Sequence, residues 1–287
     1  MATVEQIAAA TTVGAVELTV SDLGRSLDYY RTSIGLEVLG QAAGRASLGA
    51  AGNELLVLVE EPGAAPADGY TGLFHFALLV PARVDLARWL AHAARDRVAM
   101  TGLSDHLVSE ALYLRDPDHH GIEIYADRPR VEWEGKAGER LTTLPLDTGS
   151  LLAELDDPAS EPFDGLPVGT VMGHVHLRVA AIPETVAFYR DVLGFDLIAQ
   201  LRDQAAFLSA GGYHHHVGAN TWESAGAPPA PAGTAALRHA TIVLPDAEER
   251  ARVLARVERS GLAVRELDGE PAVSDPSGNT LVLSAGV

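Results

Sequence analysis

The chain has 287 residues, 47% of them apolar, which is enough for two ordinary domains with buried cores. Its 21 Lys and Arg against 39 Asp and Glu give a net charge of −18, so we expect neither nucleic acid nor an anionic membrane as a partner. The absence of cysteine excludes disulfides, thiolate catalysis and cysteine-ligated metals. No signal peptide or membrane-spanning segment is recognised, and a cytoplasmic location is expected.

The first predicted elements form a strand, a helix and a second strand over residues 14–39, GAVELTVSDLGRSLDYYRTSIGLEVL. The same pattern recurs over residues 173–198 as GHVHLRVAAIPETVAFYRDVLGFDLI. Gly14 and Gly173, like Gly35 and Gly194, lie 159 positions apart. The constant spacing indicates an internal repeat.

A second pair of similar segments covers residues 74–100 and 238–264, each with a strand, a proline-marked turn and an amphipathic helix. An Asp-Pro turn and a last strand follow in both copies, DPDHHGIEIY and DPSGNTLVLS. The chain therefore contains four βαβββ units, over about 14–60, 71–128, 171–223 and 236–287. We expect an N-terminal domain at 1–130, an interdomain connection at 131–170 rich in Pro, Gly and acidic residues, and a C-terminal domain at 171–287.

One charged residue interrupts the apolar strand GIEIY. Because side chains alternate along a strand, Glu123 lies on the opposite face from Ile122 and Ile124. Its carboxylate must therefore face water, bind a metal, or form an ion pair with a residue such as Arg115 or Arg128.

Several segments resemble a known family. FHFALLVP, YLRDPDHHGIEIYADRP and GGYHHHVGANTW, together with the four units, resemble the vicinal-oxygen-chelate superfamily and, within it, the extradiol catechol 2,3-dioxygenases. The resemblance implies the α+β glyoxalase/bleomycin-resistance/dioxygenase fold, in which βαβββ units pair into two cup-shaped mixed sheets. It also implies metal ligands on the first and last strands of the units.

The ligand positions of the four units decide how the units should pair. Units three and four would supply two histidines without a carboxylate, and units one and two only one histidine with a carboxylate. Units two and three supply a complete set, which predicts a crossed pairing with the metal ligands His75, His174 and Glu123. Units one and four would then form a second cup that lacks this set, lined by Ala15, His239 and Val282.

The resemblance further implies an Fe(II)-dependent extradiol dioxygenase that acts on a small aromatic diol with O₂. Mn(II) would fit the same ligands. His216 corresponds to the family's acid/base histidine, Tyr113 to a tyrosine that hydrogen-bonds a substrate oxygen, and His106 lies near a further family histidine. His215 is expected to contact the substrate and is the alternative to His216. Neighbours on a strand face opposite ways, so at most one of the two can point into the cup.

Two other functions fit the same sequence. A glyoxalase-like isomerase or lyase would use His214 or His216 as a fourth metal ligand, and a metal-free module would bind an aromatic compound or antibiotic. The sequence leaves open which residue of the His214–His216 triplet faces the site, and whether the protein forms a homo-oligomer.

Overall fold

The computed structural model describes residues 5–286 as curved mixed sheets flanked by helices. The strands within this range are β1 (Thr12–Val20), β2 (Glu37–Ala42), β3 (Arg45–Ala50), β4 (Asn53–Glu60), β5 (Ala65–Pro66), β6 (Gly72–Leu79), β7 (Gly102–Asp105), β8 (Ser109–Arg115), β9 (Gly121–Asp127), β10 (Leu144–Pro145), β11 (Val171–Arg178), β12 (Asp196–Leu201), β13 (Ala205–Ser209), β14 (Val217–Asn220), β15 (Thr234–Ala235), β16 (Leu237–Leu244), β17 (Arg265–Leu267), β18 (Glu270–Ser274) and β19 (Thr280–Ala285).

The helices are α1 (Leu23–Tyr29), α2 (Arg83–Asp96), α3 (Ala137–Arg140), α4 (Thr148–Leu152), α5 (Ile182–Val186) and α6 (Ala247–Arg259), with a 3₁₀ turn at Arg130–Glu132. Both α1 and α5 continue into a π-helical segment, Tyr30–Ile34 and Ala187–Leu193. These segments end at Gly35 and Gly194, whose φ angles of 90° and 93° need a residue without Cβ. Among the described residues, no helix is both long and apolar enough to span a bilayer.

The strand order confirms the predicted crossed pairing. One sheet has eight strands in the order β17-β18-β19-β16-β1-β4-β3-β2, which come from units one and four. The other has nine strands in the order β10-β7-β8-β9-β6-β11-β14-β13-β12, in which units two and three meet. The fold class expected from the sequence, α+β with paired βαβββ units, is confirmed.

Each unit places its first and last strands side by side. These strands run parallel in all four units, as β1 with β4, β6 with β9, β11 with β14, and β16 with β19. An antiparallel pair, β1 with β16 or β6 with β11, joins the two units of a sheet. The predicted ligand positions of units two and three therefore lie on three adjacent strands, β9, β6 and β11.

Strand alternation separates the core face of this sheet from the face that carries the site. Phe76 on β6 and Ile122 on β9 are fully buried in the main core, which also contains Leu86 and Trp89 of α2. The indole nitrogen of Trp89 donates a hydrogen bond to the Ile34 carbonyl oxygen at 3.1 Å. Burial of each such side chain contributes about 1.5–3 kcal/mol, so the helices fix the sheet while its other face stays free for polar residues.

The segment predicted as an interdomain connection takes part in the nine-stranded sheet. Its strand β10 pairs with β7, and Trp133 within it is only 1% exposed. The connection also brings the Thr142 carbonyl oxygen to His106. The boundaries at 130 and 170 stay a prediction, and each of the two large sheets contains strands from both sides of them.

Candidate metal centre

Three adjacent strands bring the predicted ligands together. His75 lies on β6, Glu123 on β9 and His174 on β11, and one ligand atom of each lies within 4.8 Å of the others. Glu123 Oε2 is 3.0 Å from His75 Nε2 and 3.2 Å from His174 Nε2. Ala77, aligned with both Glu123 and His174 in the sheet, leaves room between them because its side chain is a single methyl group.

Burial and mutual charge set the protonation of this cluster. Burial alone would raise the pKa of Glu123, but the adjacent histidines, His174 above all, hold that pKa well below its usual value. Burial lowers the pKa of His174 to about 4, although Glu123 opposes the shift. At neutral pH the cluster therefore presents an ionised carboxylate and a neutral His174 imidazole, which are the forms that ligate a metal.

The donor set fits a metal ion. His75 Nε2 is buried and, among the described residues, has no hydrogen-bond partner of good geometry despite its 3.0 Å approach to Glu123. An orphaned buried nitrogen costs about 1–3 kcal/mol, which coordination would offset. Two imidazoles and one carboxylate on one side of a metal are typical of non-haem Fe(II) sites, and Mn(II) accepts the same donors.

His75 and Glu123 of the cluster form part of the wall of a cavity of about 690 Å³. Aromatic side chains line part of the wall, and the connection contributes Leu141 and Thr142. A cavity of this size suits a small organic molecule. The aromatic lining residues are Phe74, Tyr113, Phe207 and Trp222, and Trp222 is the most exposed of them.

Tyr113 and His106 lie together next to the cluster. Tyr113 on β8 is paired with Glu123 on β9, and its hydroxyl is 2.7 Å from His106 Nε2. His106 Nδ1 is 2.6 Å from the Thr142 carbonyl oxygen and must donate to it, so the neutral ring accepts the Tyr113 proton at Nε2. Burial, assisted by the charge of Glu123, raises the pKa of Tyr113 well above its usual value and keeps the phenol protonated.

The expected position of His216 needs correction. His215 forms part of the cavity wall, whereas His216 lines a separate cavity of about 410 Å³ together with Tyr213. His216 Nδ1 accepts a hydrogen bond from the Ala210 amide at 3.1 Å. The physical reason is that the triplet precedes β14, so the alternation of that strand does not extend through it. The residue that faces the cup is His215.

His176 belongs to the site and was not among the predicted residues. It follows His174 by two positions on the same face of β11 and is paired with His75 across the sheet. Their ring centroids are 4.9 Å apart. Gly218 makes room for the ring, since a Cβ there would lie 2.8 Å from His176 Cγ. The alternation of histidines in GHVHLRV was the available signal.

Glu123 pairs with neither arginine considered from the sequence. Arg128 binds Asp105 and Glu110, at 2.7 and 3.3 Å, while Arg115 lies 3.5 Å from Asp68. The carboxylate is thus left to the two histidines.

The eight-stranded sheet carries different residues at the corresponding places. Ala15, His239 and Val282 lie on its strands β1, β16 and β19, as the crossed pairing predicts. Beside them, the buried carboxylate of Glu17 is held by Arg45 and Arg238, each at 2.7 Å. In this sheet an ion-pair network occupies the face that carries the ligand cluster in the other.

Two sheets of paired βαβββ units and a cluster of two histidines and one carboxylate define a member of a large superfamily. The sequence profile of the Glyoxalase/Bleomycin resistance protein/Dioxygenase superfamily matches residues 12–124 and 171–283. The chain belongs to this superfamily.

Particular relatives extend over nearly the whole chain. A protein of Bacillus subtilis (strain 168) named catechol-2,3-dioxygenase is 43% identical over 272 residues, covering 93% of this chain and 94% of that protein. The crystal structure of glyoxalase I from Zea mays superposes with a TM-score of 0.57 at 17% identity, over 96% of this chain and 92% of that one. The cppA protein of Streptococcus pneumoniae TIGR4 gives 0.56 at 14% identity, over 99% and 100%. The two structural likenesses show the fold alone.

Proposed function

We propose that the protein is an Fe(II)-dependent extradiol dioxygenase that opens the ring of a catechol or substituted catechol with O₂. The observation that carries the proposal is the convergence of His75, His174 and Glu123 beside an aromatic-lined cavity, whose wall includes His75 and Glu123. The 43% identity to a protein named catechol-2,3-dioxygenase supports it. A cytoplasmic location and a homo-oligomeric state remain predictions.

The three side chains would hold the metal at one side and leave its other positions to the reactants. When bound, Fe(II) would supply a redox-active Lewis acid that brings a catechol and O₂ together, while the electrons that reduce O₂ come from the catechol itself. Mn(II) would satisfy the same donors.

The protein's own groups position the diol and move its protons. His215 Nε2 accepts the proton of one catechol hydroxyl and returns it when the ring opens, a role typically worth a factor of 10²–10⁴ in rate. Tyr113, whose proton is shared with His106, holds the neighbouring oxygen in place. Phe74 and Phe207 pack against the ring and exclude water.

The alternative of a glyoxalase-like isomerase or lyase requires a fourth ligand from the histidine triplet. His214 Nε2 faces Asp127 at 3.0 Å, and His216 bonds the backbone at Ala210. Neither belongs to the ligand cluster. This argues for the dioxygenase, which needs three protein ligands and three free positions.

The deciding experiment reconstitutes the protein with Fe(II) under anaerobic conditions and then adds a panel of catechols and air. We expect O₂ uptake in equal amount to a yellow ring-opened semialdehyde. The Glu123→Gln variant serves as the control and should give neither. Bound iron without O₂ uptake on any catechol would favour the isomerase, and no bound metal would favour the binding module.

A further inference from the structure

A chain of hydrogen bonds lies behind the cavity wall at His215. His215 Nδ1 is 2.8 Å from His214 Nδ1. His214 Nε2 is in turn 3.0 Å from Asp127 Oδ1. Asp127 stands four positions after Glu123 on β9, on the same face of the strand, so one strand carries both the candidate metal carboxylate and this second carboxylate.

The hydrogen bonds from Asp127 through His214 to His215 determine which imidazole nitrogens carry a proton. A carboxylate only accepts, so His214 must donate through Nε2–H to Asp127. The neutral His214 ring then has a bare Nδ1, which can only accept. The 2.8 Å contact therefore requires His215 to donate through Nδ1–H, and its Nε2 keeps a free electron pair.

The free nitrogen of His215 is the one left for the cavity. Among the residues that the structure describes, His215 Nε2 has no hydrogen-bond partner, yet it is not among the buried orphaned atoms. His215 itself lies in the cavity wall, and its ring centroid is 4.1 Å from that of His174. A base at this nitrogen is thus open to a molecule held beside the ligand cluster.

Packing holds the His214 imidazole, which lies between Asp127 and His215, in place. His214 is fully buried, with the Tyr213 ring centroid 4.0 Å away and the Trp133 centroid 5.6 Å away. The Tyr213 hydroxyl donates to Asp127 at 3.2 Å and accepts from Tyr125 at 2.8 Å. These contacts leave the imidazole little freedom to rotate, so its two nitrogens keep their partners.

We propose that Asp127 and His214 are positioning residues that fix His215 in its Nδ1–H tautomer, with Nε2 as the base directed into the cup. The Asp127 carboxylate sets the tautomer of His214, and His214 in turn sets the tautomer of His215. The arrangement is similar to that of a catalytic triad, in which a carboxylate orients the basic histidine, but it contains one additional imidazole. The part of this proposal that concerns catalysis rests on the proposed dioxygenase function. The tautomer itself does not.

The first test reads the tautomer directly in the full-length, metal-free protein. Long-range ¹H–¹⁵N correlation spectra of histidine-labelled protein should show His215 as the Nδ1–H form. Asp127→Asn, whose amide can donate to His214 Nε2, should shift His215 toward the Nε2–H form. Tyr213→Phe removes one hydrogen bond to Asp127 but leaves His214 its partner, and should change nothing. An Nε2–H His215 in the parent, or an unchanged Asn variant, would overturn the proposal.

The second test measures whether the hydrogen bonds from Asp127 through His214 to His215 contribute to catalysis. With Fe(II) and a catechol, Asp127→Asn should lower kcat by about 100-fold, the low end of what acid–base catalysis supplies, with KM and bound iron within twofold. Asp127→Glu should recover part of the loss. If Asp127→Asn does not fold, His214→Phe takes its place, because it removes the nitrogen that accepts the His215 Nδ1 proton and keeps an aromatic ring in the packed position.

The outcomes are distinct. The parent protein could be inactive on every catechol and still show the Nδ1–H tautomer of His215, with loss of that tautomer in Asp127→Asn. This result would support the hydrogen-bond relay from Asp127 through His214 to His215 and contradict the dioxygenase function. An active parent with kcat unchanged in Asp127→Asn would contradict the relay's role in catalysis.

Discussion

Replacing Glu123 by Gln tests whether the cluster is a metal site. Glutamine has nearly the same shape, but it removes the negative charge that lies 3.0 Å from His75 Nε2 and 3.2 Å from His174 Nε2. A neutral amide is a much weaker ligand than a carboxylate, and the variant leaves two imidazoles to hold the ion. We therefore expect the variant to fold and to lose metal-dependent stabilisation.

The magnitude follows from mass action. A ligand present at 100 times its Kd stabilises the folded state by about 2.7 kcal/mol. For chains of 150–250 residues, 1 kcal/mol shifts Tm by roughly 2–4 °C, and the effect is near the lower value for a longer chain. Saturating Mn(II), which is stable in air, should therefore raise the Tm of the parent by about 5 °C. The Tm of Glu123→Gln should rise by less than about 1 °C at the same concentration.

The matched control is Glu17→Gln in the other sheet. Glu17 is also a buried carboxylate on a strand, 3% exposed against 2% for Glu123, but its partners are Arg45 and Arg238. This variant should start from a lower Tm, because two arginines lose their partner, and should keep the full response to Mn(II). Retention of the full response in Glu123→Gln, or its loss in Glu17→Gln, would refute the assignment of the metal site.

Three further predictions address other parts of the site. Tyr113→Phe should keep its metal and lower kcat about tenfold, the worth of one hydrogen bond, in steady-state O₂ uptake; unchanged turnover would remove Tyr113 from the mechanism. His239→Ala should retain its bound iron and most of its turnover, and loss of iron would contradict the crossed assignment of ligands. Burial lowers the pKa of His174 to about 4, so the unfolded chain binds more protons than the folded chain between pH 6.5 and 4. His174 alone should contribute a loss of about 3 kcal/mol of stability to the metal-free protein as pH drops through that window, and other buried histidines such as His216 add to it. A flat profile in denaturant titrations would contradict the burial of a neutral His174.

The repeats explain why the fold could be predicted. The 159-position offset aligns Gly35 with Gly194, and both residues have the left-handed conformation that ends a helical segment. Comparing the units at the ligand positions that the family resemblance implies then gave the pairing, because only units two and three offer His75, His174 and Glu123. Local patterns and spacing were sufficient for the repeated units and their helix ends, since these depend on backbone conformation and strand alternation, whereas the ligand positions depended on the family resemblance.

The parts that sequence reasoning missed depend on contacts between distant segments. The triplet containing His215 and His216 follows Gly211 and Gly212, both with positive φ, so no strand period sets its orientation. Asp127 shares a face with Glu123, which alternation could have indicated, but its partner His214 is 87 positions away. Likewise, nothing local shows that Thr142 in the connection orients His106.

The crossed pairing also has a consequence for how the two cups can differ. Each half of the chain holds two units, and each large sheet takes one unit from either half, so the chain is equivalent to a strand-exchanged dimer joined by a covalent link. In a dimer of identical halves, a two-fold axis would make the cups the same, and loss of one ligand would disable both. A single chain has no such axis. Ala15 and Val282 can therefore stand in one cup while the other keeps its complete set, and we expect one metal ion to bind per chain.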